Sequence, residues 1–155
     1  MGQVNVAATI ENLSDVLNSQ EGHLPPDQIR TLQVDEALVD TGAKNLALPR
    51  RMIQQLGLTK VETRRALTAA GPVNRDVYAG VRLTVQGRQC RVDVSELPDE
   101  CPVLIGFIPL ELMDFMVDPI RQRLVLETEP DGSPKAMYLL RTVGDILSKP
   151  NSLFG

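Results

Sequence analysis

The sequence predicts an all-β domain with two small helices, and three observations carry the prediction. Apolar residues recur at every second position, most cleanly at Val77, Ala79, Val81, Leu83 and Val85, which is the period of a strand with one buried face. Turn signals interrupt such stretches at short intervals, among them Ala69-Ala70-Gly71-Pro72 and Gln86-Gly87. One segment reads clearly as a helix: Pro49 suits its first turn and Gly57 the position just past its end, with Met52, Ile53 and Leu56 on one face between them. Strand spacing with frequent turns points to a sandwich or a partly closed barrel.

Taken in order, Val4, Val6, Ala8 and Ile10 alternate with Asn5, Ala7 and Thr9 and predict a first strand. Residues 11–28, with Pro25-Pro26, read as a polar excursion with room for a short helix over 13–18. A second strand is expected over 29–34, a turn at Asp35-Glu36, and a third strand over 37–40. After the 49–57 helix, Val61, Thr63, Arg65 and Leu67 alternate weakly. The strand over 77–85 turns at Gln86-Gly87 into Cys90, Val92 and Val94. Pro102-Val103-Leu104-Ile105-Gly106 is wholly apolar, as expected of a short strand buried on both faces. Residues 109–114 read as one or two helical turns, and 115–117 pairs with 123–127 across Asp118-Pro119. The run 129–134 has the composition of a linker, and 136–143 that of a late strand. The expected organisation is a main domain over 1–127 and a C-terminal extension over 128–155.

Composition narrows the function. Net charge is −4 and Trp is absent, which argues against nucleic acid or an acidic membrane surface as partner. Two cysteines make neither a disulfide framework nor a zinc site, so a reduced, cytoplasmic setting is the expectation. The first fifteen residues lack a basic region followed by an apolar one, and no apolar run approaches membrane-spanning length. The lone His23 lies in a Gly/Pro loop and supports neither a triad nor a metal centre.

One residue stands out. Ala37-Leu38-Val39 leads straight into Asp40, and the chain then turns through Thr41 and Gly42. A carboxylate at the end of an apolar strand needs a partner or a task. Its plainest role is to cap the following turn.

Val39-Asp40-Thr41-Gly42-Ala43 resembles the catalytic loop of the retropepsin-like aspartic proteases. Val103-Leu104-Ile105-Gly106 is similar to that family's second signature, two apolar residues and a glycine, and Gly106 lies 66 residues after Asp40. Leu110-Glu111-Leu112-Met113 follows as the family's short helix, and Ala69 to Pro72 falls where the family keeps its flap. The resemblance covers roughly residues 30–119 and is strongest to the small bacterial members.

The resemblance implies a single-lobe fold with a flap hairpin over 66–78 and activity as a two-fold homodimer. It gives Asp40 the catalytic role, one carboxylate from each copy, because the chain holds no second Asp-Ser/Thr-Gly. Thr41 would bond the opposing loop, Gly42 would let the backbone turn and approach the substrate, and Ala43 would leave room for the substrate strand. Ile105 and Gly106 would pack beneath the loop, and Ala69, Ala70, Gly71 and Pro72 would close over an extended peptide. No metal or organic cofactor is implied. Two positions depart from the viral pattern: Lys44 stands where those enzymes carry an acid, and Phe107 where they carry an arginine. These departures and the unmatched tail motivate a rival reading, a peptide-binding or dimerisation module without efficient turnover. A phosphate-binding turn at 40–44 is the weakest option, since no GxxxxGK[ST] loop is present.

Overall fold

A computed structural model describes residues 3–127. The linker expected over 129–134 and the strand expected over 136–143 lie outside them.

The all-β expectation holds. Nine strands are described: β1 (Val4–Asn12), β2 (Thr31–Val39), β3 (Leu46–Pro49), β4 (Thr59–Thr68), β5 (Gly71–Val85), β6 (Arg88–Leu97), β7 (Leu104–Ile105), β8 (Phe115–Asp118) and β9 (Arg123–Leu126). Three short helices join them: α1 (Leu13–Gln20), α2 (Arg50–Leu56) and α3 (Phe107–Leu112). Seven strands form one sheet in the order β1-β2-β7-β3-β6-β5-β4, and β1 also pairs with β5. The sheet thus curls back on itself as a partly closed barrel, while β8 and β9 form a separate hairpin. Among the described residues no helix is long and apolar enough to cross a membrane.

The core follows from the alternation. In β1, Val4, Val6, Ala8 and Ile10 are buried. In β5 and β6 the inward positions are Val81, Leu83, Val85, Cys90 and Val94. Leu46, Leu48, Leu56, Ile105 and Met113 complete the interior. Burial alone pushes the Cys90 thiol up to about 11, so this cysteine behaves as a small apolar residue.

Four details differ from the sequence reading. The second and third strands are one, because Asp35 and Glu36 form a bulge rather than a turn. Val6 faces Ala37 and Ala8 faces Val34, so two residues of β2 oppose one of β1. Both acids are exposed there, which a bulge allows without breaking the ladder. Secondly, β3 was not expected: its four residues are all buried, so it shows no alternation. Pro49 ends that strand and precedes α2, whereas the sequence placed it inside the helix. Thirdly, only Leu104 and Ile105 of the apolar run form a strand, and Leu104 is half-buried. Fourthly, α3 starts two residues before the expected 109–114. Gly57 closes α2 as expected, in the left-handed conformation at φ 62°.

A polar knot holds the end of β1, α1 and the start of β2 together. The buried Asn12 accepts from the Asp15 N–H at 3.0 Å as the cap of α1, and its Nδ2 donates to the Leu56 carbonyl at 2.7 Å. Arg30 donates its backbone N–H and two guanidinium nitrogens to the buried Asp15 carboxylate, at 2.8–3.0 Å. The side-chain bond from Arg30 is the main cause holding the Asp15 carboxyl below its ordinary value of 3.8; burial opposes it. The folded value lies below the unfolded one, so the unfolded chain binds more protons in acid. This contribution is complete above the ordinary carboxylate range and is lost as pH falls through the folded value. Urea midpoints measured against pH should therefore fall less steeply in acid for Asp15→Asn than for wild type, from a lower starting stability.

Candidate active site

The site begins with a strand pairing. Leu38 and Val39 of β2 run parallel to Leu104 and Ile105 of β7. The Leu38 N–H donates to the Val103 carbonyl at 2.9 Å, and the Asp40 N–H to the Ile105 carbonyl at 3.0 Å. The backbone of Asp40 is thus set by the strand that carries the second signature.

Beyond Asp40 the chain turns at once. The Ala43 N–H donates to the Asp40 carbonyl at 3.0 Å, closing a four-residue turn. The Gly42 N–H donates to Asp40 Oδ1 at 3.0 Å, so the carboxylate also fixes its own loop. A Cβ on Gly42 would lie 3.2 Å from that same oxygen. The turn-capping role is therefore real, but it engages one oxygen. Among the described residues Oδ2 accepts no hydrogen bond, and no cation lies within 4.0 Å of the carboxylate. Asp40 and Ala43 are half-buried; Thr41 and Gly42 are exposed. The Thr41 hydroxyl takes part in none of the described hydrogen bonds.

The loop is fastened to α3. The N–H groups of Gly106, Phe107 and Ile108 donate to the carbonyls of Asn45, Ala43 and Lys44, at 3.0, 2.9 and 3.0 Å. The start of α3 has no side-chain cap; the loop carbonyls satisfy its free amides instead. That is why the helix begins earlier than its sequence suggested. It also explains Gly106. A Cβ there would lie 2.6 Å from the Asn45 carbonyl oxygen, 2.6 Å from the Lys44 carbonyl carbon and 2.7 Å from the Ala43 carbonyl oxygen. Its φ of −82° is open to any residue, so the requirement is for space.

The structure brings Asp40, Thr41, Gly42 and Ala43 together with Ile105 and Gly106. Asn45, which sequence reasoning passed over, belongs with them through its carbonyl; a backbone role of this kind leaves no mark on residue type. The predicted flap residues sit apart, at the tip of the β4–β5 hairpin. Ala69 and Ala70 form its exposed turn, Gly71 takes φ 111°, and the Thr68 hydroxyl donates to the Gly71 carbonyl at 2.7 Å. Pro72 pairs with Leu67 on the hairpin's outer face, where Leu67 is 86% exposed. The tip shares none of the hydrogen bonds that hold the Asp40 loop.

At the root of the hairpin, the Tyr78 hydroxyl donates to Glu96 at 3.0 Å, and Arg50 donates to the same carboxylate at 3.2 Å. Burial, then the bond to Glu96, raises the Tyr78 phenol above its ordinary value. Tyr78 thus anchors the hairpin. Between the hairpin, β6 and α3 lies a cavity of about 240 Å³ lined by Asn45, Glu62, Arg64, Asp93, Ile108 and Leu112, among others.

A family model described as aspartyl protease matches residues 29–107. The chain belongs to the aspartyl protease family. The match takes in the Asp40 loop, the hairpin and the strand through Gly106. No curated protein matches the chain. The Asp40 carboxylate within that match is fixed in direction through one oxygen, half-exposed, and carried on a loop bonded to α3 and β7.

Proposed function

We propose that the chain is an aspartic endopeptidase acting as a homodimer, with Asp40 of each copy meeting across a two-fold axis. The observation that carries this reading is the Asp40 loop itself: one rigidly held carboxylate with an unengaged oxygen, beside an exposed Thr41-Gly42 edge. Two carboxylates brought together share one proton. The ionised one takes a proton from the attacking water while the protonated one gives its proton to the scissile carbonyl oxygen. An isologous pair supplies both from one sequence. The β4–β5 hairpin would close over an extended peptide, excluding water and adding backbone hydrogen bonds. No step calls on a metal or cofactor.

The rival, a module that binds peptides without turnover, is favoured by Phe107, which is 39% exposed beside the loop and carries no charge to brace it. A mixing experiment separates the two. Wild type is held at a concentration that saturates pairing, and a tenfold excess of Asp40→Asn protein is equilibrated with it. Cleavage of a peptide library should fall to roughly a tenth, the share of wild-type copies that still meet one another. Activity indifferent to the added variant would rule out a shared centre, and no cleavage by wild type at any pH would favour the binding module.

A further inference from the structure

We propose that Lys44 makes this protein select peptides with an acidic residue close to the scissile bond; the inference rests on the assignment of Asp40 as the catalytic group. Lys44 is exposed, and among the described residues no carboxylate lies within 4.0 Å of its ammonium group. Its backbone is not free: the Lys44 carbonyl accepts from the Ile108 N–H at 3.0 Å. The backbone that carries the cation is therefore held in place, while its four-carbon stem is free to reach.

Its distance from the chemistry follows from the turn. A hydrogen-bonded four-residue turn keeps its end α-carbons within about 7 Å, so the α-carbon of Lys44 lies within about 11 Å of that of Asp40. A substrate crossing the dyad in extended form advances about 3.3 Å per residue. Lys44 then falls within about three substrate residues of the bond to be cut. Two-fold symmetry sets a second Lys44 on the other side.

The surroundings do not cancel this charge. Arg64 is paired with Glu62 at 2.8 Å, and Arg91 and Asp93 line the same cavity, so that wall is balanced. On the hairpin, Arg64 stands directly opposite Arg75, an arrangement of like charges that costs stability. Arg75 enters no described ion pair. Arg75 lines a separate cavity among Asp76, Glu96, Asp99 and Glu100, so on a chain of net charge −4 the cation carried on the Asp40 loop is that of Lys44. An anionic side chain of the substrate gains from this, and a cationic one loses.

The test uses matched peptides built on a sequence the wild type cuts, differing only in Glu or Lys at the third residue from the scissile bond. Wild type should favour the Glu peptide in kcat/KM by about fivefold at low salt, as expected of a partly screened charge contact. Lys44→Gln should bring the ratio near one, and Lys44→Glu should invert it, with faster cleavage of the Lys peptide than wild type achieves. That gain shows the variant is folded. A ratio unmoved by Lys44→Glu overturns the inference alone, as does loss of both activities in Lys44→Glu while Lys44→Gln keeps the Glu preference. Wild type that cuts nothing overturns it together with the catalytic assignment of Asp40.

Discussion

Replacing Asp40 by asparagine is expected to abolish peptide hydrolysis and leave the fold intact. Asparagine keeps an oxygen where Oδ1 now accepts the Gly42 N–H at 3.0 Å, so the loop retains its own brace. The strand bonds to Val103 and Ile105 and the three bonds to α3 are all made by backbone. What disappears is the ability to hold and exchange a proton. A loss of roughly ten-thousandfold in kcat is the scale seen when a member of a catalytic group that works as a unit is removed. The melting temperature should stay within about 2 °C, since no other buried contact is lost. Circular dichroism melts alongside cleavage assays check both halves. Cleavage at the wild-type rate would refute the assignment of Asp40.

Gly106→Ala tests the opposite balance, a change remote from the reacting atoms that should damage stability and activity together. The added methyl would meet three backbone atoms at 2.6–2.7 Å, and backbone yields far less readily than the end of a side chain. Either the Asp40 loop lifts from α3, losing up to three hydrogen bonds, or the helix moves away. Overpacking of this kind costs about 3 kcal/mol, which for a domain of this size lowers the melting temperature by about 10 °C. Urea denaturation should show the same loss as a lower midpoint. Because the displaced atoms carry Asp40, activity should fall by more than the unfolded fraction explains. A variant of wild-type stability and activity would mean that the loop and helix separate at little cost.

The two changes also show which parts of this site the sequence exposed. Asp40, Gly42 and Gly106 were legible because their side chains, or the lack of them, are what the geometry uses. The strands around them were legible where one face meets solvent, as in β1 and β5. The sequence misled where burial is total or absent. The four buried residues of β3 have no alternation to detect, and β4 has little because both its faces lie near water, with Val61 and Leu67 exposed. Asp35-Glu36 has the polarity of a turn, and only the register of β1 distinguishes it from a bulge. The pairing of Arg30 with Asp15 joins residues across the polar excursion, and neither neighbour pattern nor period announces such a contact.

The capping of α3 by loop carbonyls bears on when the Asp40 loop can take its final shape. A helix of six residues cannot persist alone in water, and the Asp40 turn lacks its anchors until Ile105 to Ile108 arrive. Those anchors follow Asp40 by 65–68 residues. A polypeptide emerging from the ribosome therefore carries Asp40 on an unanchored turn until residues 105–108 have followed it out.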